Sequence, residues 1–318
     1  MPIPRREFLL GMAATGAAAA LRAQRTSCAF RLAVINDEIS QDFDHACAVA
    51  AKEFGLGWIE LRAMWNKNVT DLDSQEVAES QRILKKYNLR VTDIASPLYK
   101  VDWPGAPSAQ GSQRRDQFHS ALDFKEQDAL LERSIAMVKA FGTNRLRCFD
   151  FWRIPDPAPY RAAINERLGK TAEICAKSAI ILLLENEMSC NTATGAEAAA
   201  TLKAVPNKNF MLNWDPGNAG TFPGAVPYPD GYNLLPKGRI GHCHAKDVTR
   251  QAGGKYEWAA VGTGLIDWVG QLRALKRDGY RYAVSLETHW RGAGTPEAST
   301  RISMQGLKTA LSKAGISC

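Results

Sequence analysis

Four apolar runs in the second half of this 318-residue chain each carry, at or near their end, a side chain able to bind a metal ion. They span residues 180–185, 210–215, 239–245 and 282–287. Glu185 and Asp215 are 30 residues apart, Asp215 and His244 29, and His244 and Glu287 43. A strand with its crossover helix takes roughly 30 residues, so each group sits at the C-terminal end of a successive parallel strand. Alternate side chains of a strand share a face, which points His242 and His244 the same way. An isolated pair of this kind also suits a hydrogen-bonded core. The carboxylates at the neighbouring strand ends turn the reading toward a ligand set of Glu185, Asp215, His244 and Glu287.

The first half repeats the same unit. Residues 30–35, 58–62, 89–95 and 145–149 read as strands. Helical periodicity follows at 42–54, from about Ser74, at 116–141 and at 164–179. In the second half, helices are expected near 195–204, 265–278 and 296–313, while 216–238 is too rich in Pro and Gly for a long one. Eight strands alternating with about eight helices suit either an open doubly wound sheet or a closed barrel. Four ligands from four consecutive strands converge only around a common axis, so the expected fold class is α/β, a single (β/α)8 TIM barrel. Its site then lies at the C-terminal strand ends.

The N-terminus is expected to stand outside that barrel. Arg5-Arg6-Glu7-Phe8-Leu9-Leu10 leads into an Ala-rich apolar stretch ending near Leu21. Residues 1–24 therefore read as an export signal of the twin-arginine type, with 25–318 as the barrel and the periplasm as destination. The apolar run is shorter than the ~20 residues of a membrane span, so no stable membrane anchor is expected. Net charge is +7, with basic residues scattered and no cluster of five, which argues against a nucleic-acid partner. Seven cysteines, an odd number without a Cys-x-x-Cys pair, argue against a disulfide framework and a Cys-rich zinc site. A homo-oligomer stays open.

Three oxygen ligands and one imidazole suit one divalent ion, manganese before magnesium, cobalt or zinc. The imidazole must be neutral to bind, and its other nitrogen then calls for an acceptor behind it. Around this set, His242, Lys246, Glu187, Trp103 and Arg291 are candidates for binding substrate, with Trp65 and Trp152 as further aromatic faces. Packing and salt bridging explain each of these singly. Glu38, Glu60, Lys100 and Arg147 are candidate pocket lining. The long 96–116 connection is either a lid or a surface insertion.

Leu184-Glu185-Asn186, Asn213-Trp214-Asp215-Pro216-Gly217-Asn218, Gly241-His242-Cys243-His244-Ala245-Lys246-Asp247, Gly262-Thr263-Gly264-Leu265-Ile266-Asp267-Trp268 and Leu286-Glu287 together resemble the xylose isomerase-like TIM-barrel superfamily. The resemblance covers about residues 30–315. It implies a single metal held by Glu185, Asp215, His244 and Glu287, with Glu185 and Glu287 as the acid/base pair, and a carbohydrate substrate. The chain departs from the epimerase pattern after the first ligand, where Glu187 stands only two residues on, and Asn218 stands where many relatives carry His.

The resulting expectation is a divalent-metal-dependent sugar isomerase or epimerase that removes a proton beside a carbonyl through an enediolate. A lyase or dehydratase on a keto-sugar or keto-glycoside would use the same metal and base. An endonuclease IV-like nuclease needs a His-rich three-metal cluster, for which five histidines are few. A non-catalytic sugar-binding protein is the remaining alternative.

Overall fold

The computed structural model describes residues 28–107 and 123–318. Eight parallel strands form its centre: β1 (Arg31–Val34), β2 (Trp58–Leu61), β3 (Arg90–Ile94), β4 (Arg145–Cys148), β5 (Ile181–Glu185), β6 (Phe210–Trp214), β7 (Ile240–Ala245) and β8 (Ala283–Leu286). Consecutive strands are neighbours from β2 round to β8, and β8 pairs with β1 from Arg31 opposite Ala283 to Val34 opposite Leu286. A parallel bridge between Ile35 and Glu60 joins β1 to β2. The strands form a barrel, not an open sheet.

The helices that follow the strands in turn are α1 (Phe43–Ala48), α2 (Ser74–Lys86), α3 (Gln127–Ala140), α4 (Ala158–Ala176), α5 (Gly195–Ala204), α6 (Pro216–Gly220), α7 (Trp268–Arg277) and α8 (Pro296–Lys313). Local chemistry sets their starts. Asp73 and Thr194 close capping boxes with Glu76 and Glu197 at the heads of α2 and α5, and a side-chain cap of this kind stabilises a helix by about 1 kcal/mol. The helix expected over 116–141 begins, in its described part, at Gln127. Asp123 is extended and caps a 3-10 turn at Phe124–Glu126; residues 116–122 lie outside the described residues. Helix α4 starts six residues before the expected Ile164, because Pro159 in its first turn and the alanines around it support an earlier start.

Two features were not foreseen. After β7, the chain forms a two-stranded ribbon in which Asp247–Arg250 pairs with Tyr256–Ala259. In addition, Cys28 and Cys318 form a disulfide across a sequence separation of 290 residues. There is no disulfide framework, yet the expectation drawn from cysteine spacing missed this one link, which joins the two ends of the described chain.

Barrel interiors are ordinarily filled by branched apolar side chains. Here the strands also bury Glu60, Asp93, Arg145, Arg147, His242, His244 and Ser285. Burying so many polar groups costs stability unless each finds a partner, and their pairing organises the site.

Candidate metal centre

Glu185 ends β5, Asp215 follows β6, His244 lies in β7, and Glu287 follows β8. Strand register brings them to one level: Glu185 is opposite Asn213, Ser285 is opposite His244, and the Glu287 N–H donates to the Ala245 carbonyl. One potential ligand atom from each of the four lies within 4.8 Å of all the others. His244 Nδ1 stands 3.5 Å from Glu185 Oε1, 3.7 Å from Asp215 Oδ2 and 3.3 Å from Glu287 Oε2. All four residues are buried.

The connection after β6 fixes Asp215. Its Oδ1 accepts the Asn218 N–H at 2.9 Å and caps α6, while Asn186 accepts the Asp215 N–H and donates to its carbonyl. A Cβ on Gly217 would come within 2.8 Å of the Lys246 carbonyl oxygen, so glycine permits α6 to lie against the end of β7.

Charge at the centre favours a cation. Seven linked carboxylates, Glu38, Glu60, Asp93, Glu185, Glu187, Asp215 and Glu287, are buried with five fixed cations, Arg62, Lys100, Arg145, Arg147 and Lys246. Buried charges require compensation, and a divalent ion offsets this excess. Asp215 Oδ2 has no well-directed hydrogen bond, although Lys246 Nζ is 2.9 Å away. The mixed oxygen and imidazole donors match a divalent ion. The residues present thus fit the group.

Burial alone would raise the Glu185 carboxyl, but His244 and Arg147 outweigh it and hold it at about 2. Glu287 is likewise pulled well below the usual carboxylate range against its burial, by Lys246, His289 and His244. Burial opposes charge on His244, yet Glu60, Glu185 and Glu287 raise its pKa well above the ordinary value.

The two glutamates differ in their surroundings. Glu287 Oε1 takes a 2.7 Å bond from Arg62 and its Oε2 one from Lys246. Glu185 Oε2 accepts from Arg147 at 3.1 Å and its Oε1 from the neutral Asn218 amide at 3.2 Å.

The other candidates spread over two levels. Lys246 contacts the ligand set directly. Glu187 is buried, with Lys100 Nζ 3.6 Å from its Oε2 and Ser189 donating to its Oε1. Arg291 bonds Glu38 Oε2 at 3.0 Å. His242 is turned to Glu60 inside the barrel. Trp103 packs edge-on against Phe124 and Phe151, and Trp65 against Phe43. Trp152 lies within 5.7 Å of Lys100 Nζ. Sequence reading missed Arg62, Asp93, His289 and Trp258. Arg62 has strand parity with Glu60, a usable signal; Trp258 sits in the unforeseen ribbon, 5.1 Å from Lys246 Nζ and 5.4 Å from the His289 ring.

Trp65, Tyr99, Phe151 and His289 all have positive φ, from 45° to 69°, shortly beyond β2, β3, β4 and β8. Such backbone costs about 1–3 kcal/mol per residue and gathers at functional rims.

A family model described as xylose isomerase-like TIM barrel matches residues 48–310. The chain belongs to that family. No curated protein matches its sequence. Solved structures share the xylose isomerase-like fold at low identity. A xylose isomerase-like TIM barrel protein from Mycobacterium smegmatis in complex with magnesium is 17% identical, covers 91% of this chain and 98% of its own, and has a TM-score of 0.65. The probable 3-DHS dehydratase AsbF from Bacillus anthracis is 19% identical over 88% of this chain and 98% of its own, with a TM-score of 0.64. D-psicose 3-epimerase from Clostridium cellulolyticum H10, solved with D-tagatose, is 14% identical over 90% and 98%, with a TM-score of 0.63. Proteins of this fold thus include an epimerase and a probable dehydratase.

Proposed function

We propose that this barrel is a divalent-metal-dependent sugar isomerase or epimerase that removes a proton beside a substrate carbonyl. The observation that carries the reading is the convergence of Glu185, Asp215, His244 and Glu287 within 4.8 Å at the C-terminal end of the strands. These four residues would hold the ion, manganese being favoured by the hard oxygen donors. When bound, a divalent ion polarises a carbonyl and stabilises the charge of an enediolate. Glu185 and Glu287 come from β5 and β8, at opposite ends of the run of ligand-bearing strands, and in this reading they flank the carbon that loses its proton. Arg147 and Arg62 each fix one oxygen of these carboxylates and so orient the pair. Lys246, Glu187 and Arg291 are assigned to substrate hydroxyls; Trp103, packed among Phe124 and Phe151, supports the wall of that loop.

A second reading, a lyase or dehydratase on a keto-sugar or keto-glycoside, is favoured by the unequal glutamates. With cations on both oxygens of Glu287, removal on one face is easier than return on the other. Elimination needs the same proton removal, followed by cleavage of the bond to the β oxygen, which leaves as water or an alcohol with a proton from the site, and it needs no return of a proton to carbon.

One experiment addresses both. Incubation with a panel of ketoses and keto-glycosides in D2O should place deuterium at the abstracted carbon of any substrate that is reprotonated there. An unchanged product mass, apart from that deuterium, supports the isomerase reading, and a split or dehydrated product the lyase. Glu287→Gln should slow exchange about 10²- to 10⁴-fold, the contribution of a positioned base. Exchange at the parental rate in that variant would sink the two-carboxylate assignment.

The export signal at residues 1–24, with periplasmic maturation of 25–318, is proposed on the sequence. The Cys28–Cys318 disulfide supports it, because such bonds persist in oxidising compartments.

A further inference from the structure

The four metal-site residues come from β5 to β8, and a fifth group reaches them from the other half of the barrel. Glu60 in β2 is wholly buried. Its Oε1 lies 3.0 Å from His244 Nε2 and its Oε2 3.0 Å from His242 Nε2. One carboxylate therefore spans two imidazoles set edge to face, 5.3 Å apart. Behind them, Asp93 Oδ1 of β3 stands 3.6 Å from His242 Nδ1.

Backbone irregularities coincide with both ends of this contact. The ladder between β2 and β3 shifts register between Ile59 and Leu61, at Glu60 itself. The ladder between β6 and β7 shifts between Leu212 and Asn213, so that Leu212 pairs with Ile240 but Asn213 with His242. The residue passed over there is Gly241, where a Cβ would stand 2.7 Å from the Leu183 side chain. Bulges re-aim side chains next to active sites. Here one sets Thr92 and Asp93 against Glu60 and the other sets the His242-x-His244 pair.

We infer that Glu60 is the positioning residue of the metal site: it accepts the Nε2–H of His244 and so turns the Nδ1 lone pair toward the space enclosed by Glu185, Asp215 and Glu287, where the ion would sit. A carboxylate cannot donate, so a neutral His244 bonded to it through Nε2 carries its proton there. That fixes both tautomer and ring plane. Neutral His242 is held in the same way, with Nε2–H toward Oε2. The inference rests on the proposed metal site, but the tautomer it assigns is observable by itself.

Two measurements on the full chain test it. Two-bond proton–nitrogen correlation spectra with 15N-labelled histidine and Mg2+ should show His244 protonated at Nε2; a proton on Nδ1 would overturn the assignment. Calorimetric titration with Mn2+ should find Glu60→Gln weakened about 10- to 100-fold, the usual effect of removing an outer partner of a ligating histidine. The Gln amide offers a donor where one imidazole needs an acceptor. His242→Gln, which leaves Glu60 on His244, should stay within about threefold of the parent. Parental affinity in Glu60→Gln, or equal weakening in both variants, would reduce Glu60 to packing. Should Glu60→Gln fail to fold, the spectrum of the parent still decides. A parent that bound no Mn2+ would sink the metal reading, whereas a parent that bound Mn2+ but carried the His244 proton on Nδ1 would sink only the role given to Glu60.

Discussion

Glu38 keeps its charge in the interior because Arg62, His289 and Arg291 face it. Burial alone would raise its carboxyl, yet these groups lower it to about 2. A carboxylate with a depressed folded pKa contributes stability that is fully present above its unfolded value, near 4.5, and is lost as pH falls through about 2. The shift corresponds to about 3 kcal/mol. Asp37, on the same guanidinium, is pushed upward by burial and acts in the opposite sense, so the clean measurement is a difference. The stability gap between the parent and Glu38→Gln, followed by denaturant unfolding, should narrow by about 3 kcal/mol between pH 6 and pH 2. A gap independent of pH would show that folding does not lower the Glu38 pKa. At this scale the four residues that converge at the candidate centre were legible because their spacing repeats with the βα unit. Their partners were harder to find: Arg62, just beyond β2, shared the parity of Glu60 but was passed over, and Asp93 lies in a strand whose sequence does not tell which polar side chains turn inward, a choice made by barrel closure and by the register shift opposite Glu60.

Strands were readable as elements because apolar, β-branched runs recur with helical segments between them, and the barrel followed from where the ligands fall along them. The ribbon after β7 was not readable. Val248-Thr249-Arg250 and Tyr256-Glu257-Trp258 are short, half-exposed and alternate weakly. Their pairing depends on Asp247, whose carboxylate accepts the N–H groups of Val248, Gly262, Gly264 and Ile266 at 2.8–3.2 Å. A Cβ on Gly264 would stand 2.1 Å from Asp247 Oδ1, which accounts for a glycine there. Asp247→Ala leaves these donors without their acceptor, at about 1–3 kcal/mol for each one that stays buried and unpaired. Its unfolding midpoint should fall markedly, and Trp258, beside Lys246, should become more exposed to a fluorescence quencher. An unchanged midpoint and unchanged quenching would show that the ribbon stands without Asp247.

Across the whole molecule, the disulfide joins the two ends of the described chain, and no spacing rule could have revealed a pair separated by 290 residues. The other five cysteines are buried. Burial raises the thiol pKa of Cys47, Cys148, Cys175 and Cys243, and thiols of that kind react poorly. Protein collected after export should therefore show five thiols on denaturation. The Arg5→Lys, Arg6→Lys double variant, held in the cytoplasm, should show seven. Cys318→Ser should cost about 2–4 kcal/mol of stability. Seven thiols in exported protein, or undiminished export of the double variant, would contradict the account of this chain as a periplasmic enzyme.

In the proposed reading the closed barrel brings groups from four strands around one ion, and this is most directly tested by calorimetric titration of the full chain with Mn2+. The account predicts one ion per chain for the parent, with binding lost in His244→Ala and in Asp215→Ala while both variants keep the parental circular dichroism. No binding by the parent, or parental affinity in both variants, would contradict it.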